Sequence, residues 1–276
     1  MKIDLFTFLG PNSADYAEFL KYTSEEFLSS ENKINWKCVN SVGCDRMPSG
    51  YKVVGKSKNM KHVSMNHGEA LNLAQDYIES EYVIFIDADI AILYKNWDKV
   101  IIDELNKYDC FGGEFGTWLR KYRNFPSVYL FAFRSHILEK VKLDFLPKLT
   151  KNERHISKYK LTEEESDYFG MPFGKSISCD TGWNIPFLFK KSGFTFNSMK
   201  AIVMKSKKMK LPFEDVQHME LCFRKNPKHM SEWHYKGKLF GTHRHASRVN
   251  PLNSEMGEAW KRRVELYIKK YEEEKR

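Results

Sequence analysis

Apolar positions in the first hundred residues fall into blocks of changing period. Lys2–Leu9 carries Ile3, Leu5, Phe6 and Phe8 and is closed by Gly10-Pro11-Asn12-Ser13, the pattern of a strand ending in turn residues. Ser13–Ser29 places Tyr16, Phe19, Leu20 and Phe27 near helical spacing. Ile34–Val42 predicts a second strand, and residues 43–62 predict a loop with a short strand at Tyr51–Val54. Asn66 precedes Glu69 by three positions, a capping-box arrangement ahead of an apolar face of Ala70, Leu71, Ala74 and Ile78. Tyr82–Ile86 is wholly apolar, a buried strand that runs straight into Asp87-Ala88-Asp89. A helix over Trp97–Leu105 follows, then Phe111–Gly116 as a loop or strand end.

The second half is less regular. Residues 140–178 are charged and patternless, predicting an insertion or mobile loop. Order returns at Cys179-Asp-Thr-Gly-Trp-Asn184, with a helix to Ser192 and a strand at Gly193–Phe196. At the C-terminus Trp260, Val264, Tyr267, Ile268 and Tyr271 share one stripe of an amphipathic helix. Strands alternating with helices predict an α/β fold with a mostly parallel sheet. There is no internal repeat and no composition boundary, so a single domain over residues 1–276 is expected.

Composition narrows the class. With 42% hydrophobic and 14% aromatic residues the chain can build a core, which excludes disordered and low-complexity classes. Cysteines 38, 44, 110, 179 and 222 are scattered without a C-x-x-C pair, so reduced thiols are expected rather than disulfides or a thiolate zinc site. No apolar stretch approaches the ~20 residues of a membrane span. Asp4 interrupts any signal-peptide run, giving the expectation of a cytoplasmic protein. A net charge of +9 suits an anionic partner without choosing among nucleotide, nucleic acid and acidic membrane.

The candidate chemistry centres on Asp87-Ala-Asp89. Ligands of open α/β sheets bind at the carboxyl edge, where this pair stands. Two acids there can hold a hard divalent cation that neutralises phosphate oxygens, although turn or cap aspartates would look the same. The run from Asn66-His-Gly-Glu-Ala-Leu-Asn72 through Tyr82–Ile92 resembles the nucleotide-sugar half of GT-A glycosyltransferases, family 2 in particular, over roughly residues 2–110 and more faintly over 179–248. The resemblance implies a Rossmann-like mixed sheet flanked by helices, with residues 1–110 as the donor half, 111–250 as the acceptor half and 251–276 as a terminal helix. It places Thr7 and Phe8 near the nucleoside, Asp87 toward the ribose or metal, and Asp89 as a direct ligand of Mn²⁺ or Mg²⁺.

Two further assignments, the base and a third metal ligand, follow from that resemblance. Asp180 would be the base that takes the proton of an acceptor hydroxyl, implying inversion, although Cys179 stands where the family has an acid. Glu214-Asp215 keeps the acidic pair, so Asp215 is the rival. Gly241-Thr-His-Arg-His-Ala-Ser-Arg248 would supply a third metal ligand, His243 with His245 as rival, since strand alternation lets only one face inward. Arg244 and Arg248 would lie against the diphosphate. Trp183, with Trp118, Tyr122 and Trp233, would stack on an acceptor.

The expected activity is transfer of a sugar from a nucleotide diphosphate donor, a UDP-sugar, to a hydroxyl of a glycan or a modified nucleic-acid base. A nucleotidyltransferase of the same superfamily and a basic nucleic-acid-binding protein with a degenerate site are the alternatives. Gly50–Ser57 matches the P-loop spacing, but Tyr51, Val53 and Val54 read as a strand and no helix opens directly after it. His218, Cys222, His229 and His234 match no strong zinc signature.

Overall fold

A computed structural model describes residues 1–44, 46–58, 60, 62–116, 121–203, 230–245 and 251–274. Trp118, Glu214, Asp215, Arg248 and the His218, Cys222 and His229 group lie outside the described residues. In chain order the strands are β1 (Lys2–Leu9), β2 (Lys33–Asn40), β3 (Lys52–Lys56), β4 (Tyr82–Asp87), β5 (Ile90–Ile92), β6 (Cys110–Gly113), β7 (Leu130–Arg134), β8 (Lys158–Lys160), β9 (Ser176–Ser178), β10 (Phe196–Met199), β11 (Ala201–Val203), β12 (Ser231–Tyr235) and β13 (Lys238–His243). The helices are α1 (Ser13–Glu26), α2 (Val63–Ala74), α3 (Trp97–Leu105), α4 (Ile137–Lys140), α5 (Glu163–Tyr168), α6 (Ile185–Ser192) and α7 (Glu255–Glu273).

The main sheet runs β10-β6-β7-β4-β1-β2-β3. All its pairings are parallel except those of β7, which is antiparallel to both β4 and β6. This is the mixed, mostly parallel sheet that the alternating pattern predicts. Both faces are covered, which is why β4 is apolar without alternation. Ile84 and Ile86 pack with Tyr16, Leu20, Trp97 and Trp260 of α1, α3 and α7, whereas Val83 and Phe85 pack with Ala70, Leu71 and Phe189 of α2 and α6. The stripe on α7 seals the first face, with Trp260, Val264 and Ile268 buried.

A second, antiparallel sheet, β11-β12-β13-β5, meets the first where β4 gives way to β5. That junction contains the Asp87-Ala-Asp89 turn.

Several expectations shift. α2 begins at Val63, three residues before Asn66, because His62 caps it by accepting the Ser64 amide at 3.2 Å. Asn66 lies inside the helix, where its Oδ1 accepts the Met60 amide at 2.6 Å. The P-loop-like segment is the edge strand β3, as its β-branched residues predict. Residues 140–178 are not patternless, for they hold the β8–β9 hairpin and α5, whose Thr162 and Glu165 form a full capping box. The strand expected at Gly193–Phe196 begins instead at Phe196, because Gly193 is the left-handed cap of α6 at φ 68°. Among the described residues no cysteine is in a disulfide, and no helix is long and apolar enough to cross a membrane.

Candidate active site

Sheet pairing builds the site. β5 leaves the Asp87–Asp89 turn and pairs with β13 so that Ile90 stands opposite His243, while the Arg244 amide donates to the Asp89 carbonyl at 2.9 Å. A histidine 154 positions away is thereby set against the acids, with His243 Nε2 at 3.0 Å from Asp89 Oδ1 and 3.8 Å from Asp87 Oδ2. One ligand atom from each of Asp87, Asp89 and His243 lies within 4.8 Å of the others. The Asp87 amide donates to the Tyr129 carbonyl at 2.9 Å, tying the turn to the residue before β7. The His243 ring is held by packing, with Tyr129 edge-on at 4.6 Å and Trp233 stacked at 5.9 Å, while its buried Nδ1 has no hydrogen-bond partner among the described residues.

These acids line a cavity of about 470 Å³. Its walls include Phe8 to Pro11 after β1, Ser41 to Gly43 after β2, and His67 from α2. His67 Nε2 lies 3.4 Å from Asp87 Oδ1 and its ring packs edge-on against Phe8. It gets there because α2 rides close to the chain at Phe145, where Gly68 leaves no room for a side chain. A Cβ at Gly68 would stand 2.7 Å from the Phe145 carbonyl oxygen. Burial works against a proton on His67, yet the Asp87 carboxylate holds its pKa above the usual histidine value.

Asp180 is not a lining residue of this cavity but lies near enough to His67 to favour its charge. Its Oδ2 is 3.2 Å from the Lys121 ammonium, its Oδ1 accepts the Thr181 amide at 2.8 Å, and the Ser64 hydroxyl also donates to the carboxylate. Burial would raise its pKa, but Lys121 and these donors pull it down to about 2. Burial lowers the Lys121 pKa in turn, opposed by Asp180.

The other predicted residues fall in varied places. Phe8 lines the cavity, whereas Thr7 is fully buried behind it in the sheet. His243 and His245 both line the cavity, contrary to strict alternation, because β13 ends at His243 and His245 takes a left-handed φ of 55°. Their rings lie 3.6 Å apart, and His245 Nε2 is 3.0 Å from Ser231 Oγ. Arg244 points away from the cavity and is fully buried, its Nη1 donating to the His245 carbonyl. Burial depresses its pKa, while Tyr16 and Asp89 favour its charge. Trp183 is half-buried in an aromatic cluster with Tyr159 and Phe187 rather than standing free as a platform. Tyr122 is buried, donating to the Gly182 carbonyl, and Trp233 is buried, donating to the Glu114 carbonyl.

Sequence reasoning missed His67, Lys121 and Tyr129 as members of the site. His67 did carry a signal, since it falls between the helix-start residues and the apolar face of α2. Lys121 and Tyr129 carried none, because they lie in segments without period whose position is set by β7.

Two carboxylates and an imidazole on one buried edge suit a divalent cation, since the oxygen and nitrogen donors converge and their negative charge gains a counter-ion. No family model matches the chain, and no curated protein matches it. Solved structures do. The mannosyltransferase PcManGT from Pyrobaculum calidifontis, in complex with GDP-Man and Mn²⁺, is 16% identical with a TM-score of 0.40, covering 52% of this chain and 47% of that one. S. aureus TarS 1-349 in complex with UDP-GlcNAc is 18% identical with a TM-score of 0.38, covering 55% and 51%. A197 from STIV is 13% identical with a TM-score of 0.35, covering 72% and 82%. The matched part thus spans about half the length of the first two. A likeness of this size concerns the arrangement of the chain and not its chemistry.

Proposed function

We propose that the protein is a metal-dependent glycosyltransferase that moves a sugar from a nucleotide diphosphate donor, a UDP-sugar, to an acceptor hydroxyl. The observation that carries this reading is the Asp87, Asp89 and His243 cluster at the floor of a cavity walled by the loops after β1 and β2. Those loops are the natural seat for a nucleoside, because the carboxyl edge of a parallel sheet is where open α/β folds take their ligands. Asp89 and His243 would be the direct metal ligands, with Asp87 shared between metal and ribose and oriented by His67. The mixed oxygen and nitrogen set favours Mn²⁺ over Mg²⁺, which prefers oxygen alone. A cation bound there neutralises charge building on the leaving diphosphate. Asp180 would accept the proton of the acceptor hydroxyl, which implies inversion at the anomeric carbon, and Asp215 is its rival. Residues 1–276 act as one domain in this reading. The net charge of +9 favours an anionic acceptor, a glycan or a nucleic-acid base.

A thermal-shift series with UDP, GDP, CDP and ATP, each with and without Mn²⁺, tests it on the wild type and Asp89→Ala. A ligand at ~100 times its dissociation constant adds about 2.7 kcal/mol of stability. The expected outcome is stabilisation by UDP that needs Mn²⁺ and is lost in the variant. A response to ATP alone would move the assignment to nucleotidyl transfer. No response to any nucleotide would overturn the donor site.

A further inference from the structure

Lys121 is a buried cation with an unusual placement for a lysine. Its side chain is 6% exposed, its ammonium lies 4.6 Å from the centroid of the Phe115 ring, and it meets Asp180 at 3.2 Å. Burying an ammonium is costly unless a carboxylate is fixed opposite it. Asp180 is fixed from two more directions, by the Thr181 amide and by the Ser64 hydroxyl in the first turn of α2. Thr181 Oγ1 in turn donates to the Ser64 carbonyl at 3.1 Å, so α2 and the 180–184 turn are pinned to each other.

We propose that Lys121 is a positioning residue for Asp180, holding that carboxylate ionised and in one orientation near His67. The idea rests on the transferase reading and sharpens it, because it says how the proton-accepting group is kept ready. The groups facing Asp180 are Lys121 and Tyr122 from the segment before β7, Ser64 and His67 from α2, Thr181 beside it, and Tyr129. Of these, Lys121 is the ammonium in direct contact with the carboxylate. A carboxylate held in this way acts on a substrate as a fixed acceptor and not as an acid.

The test has a readout that does not need turnover. Aspartate carboxyl carbons are followed by NMR over pH in wild type, Lys121→Met and Lys121→Arg, with Asp180→Asn to assign the resonance. Asp180 is expected to titrate near 2 in the wild type, to rise by more than one pH unit in Lys121→Met, and to stay low in Lys121→Arg. In sugar transfer, Lys121→Met lowers kcat at least tenfold with the donor KM little changed, moves the acid limb of the pH profile upward, and is largely rescued by Lys121→Arg. An unchanged Asp180 titration in Lys121→Met would overturn the proposal, as would wild-type transfer across the pH range. If Lys121→Met does not fold, recovery of folding in Lys121→Met/Asp180→Asn supports the coupling, and failure of both makes Lys121 a core cation only. If the transferase reading itself is wrong, the wild type gives no metal-dependent nucleotide response while the Asp180 titration still moves.

Discussion

The site has two acidic regions that are built differently. At the Asp87–Asp89 turn the facing groups are imidazoles, His67 and His243, whose charge depends on a single proton, and Arg244 buried beneath adds to the field at Asp89. At Asp180 the facing group is an ammonium, with an amide and a hydroxyl completing the shell. The first region converges three ligand atoms and leaves them looking into a cavity; the second satisfies its carboxylate within the protein. The difference teaches how to separate roles among buried acids. Carboxylates gathered beside a histidine at a cavity floor can together hold a cation, whereas a carboxylate already paired with a lysine has its charge balanced within the protein.

The largest effect should come from breaking the first region. Asp89→Ala is expected to lower transfer by about 100-fold or more, the scale on which loss of one charge-stabilising group acts. It should also remove Mn²⁺-dependent nucleotide binding, measured by calorimetry. In the second region, Asp180→Asn is expected to reduce kcat by about 100-fold, within the usual range for a general base, while leaving nucleotide binding intact. Loss of nucleotide binding in Asp180→Asn would erase the distinction between the two regions. His67→Asn, which loosens Asp87 without removing a direct ligand, should weaken Mn²⁺ binding by about tenfold, checked by metal titration.

The smallest effect is on stability against pH. The folded-state pKa of Asp180 is about 2 against an ordinary value of 3.8, so its contribution is present above pH 3.8 and lost as pH falls toward 2. Lys121→Met should shrink that window, seen as a flatter acid arm in Tm measured between pH 2 and 4. The same substitution should leave the slope above pH 5 unaltered.

Gly68 links the regions, because α2 carries both Ser64 and His67. Gly68→Ala would push a Cβ to 2.7 Å from the Phe145 carbonyl oxygen. The crowding should cost about 1–3 kcal/mol of stability by denaturant titration. Metal binding and Asp180 titration should shift together in that variant.

Local pattern carried much of the fold. The apolar runs of β1, β2 and β4 and the periodicity of α1, α3, α6 and α7 lie within a few residues of where sequence placed them, because each buries a face against the same sheet. Asp87 and Asp89 were legible for a related reason, standing where a wholly apolar strand stops. Two things were not legible. β7 turns against its neighbours, a choice made by pairing with β4 and β6 rather than by its own residues. The start of α2 was misplaced because His62, an uncommon cap, outcompeted Asn66.

Much of the site's chemistry belongs to the tertiary structure. The sequence by itself determined the alternating elements, the acidic turn at the end of β4 and the histidine-bearing segment near the C-terminus. That His243 meets Asp89 depends on β5 pairing with β13. That His245 also reaches the cavity depends on a left-handed residue after the strand ends. Arg244, just past the end of β13, is buried with its amide held on the Asp89 carbonyl. Lys121 finds Asp180 across 59 positions only once β7 and the 180–184 turn are packed on α2. Periodicity reports which face of an element is buried, whereas convergence of charged groups depends on which elements pair, and pairing is decided by the sheet as a whole.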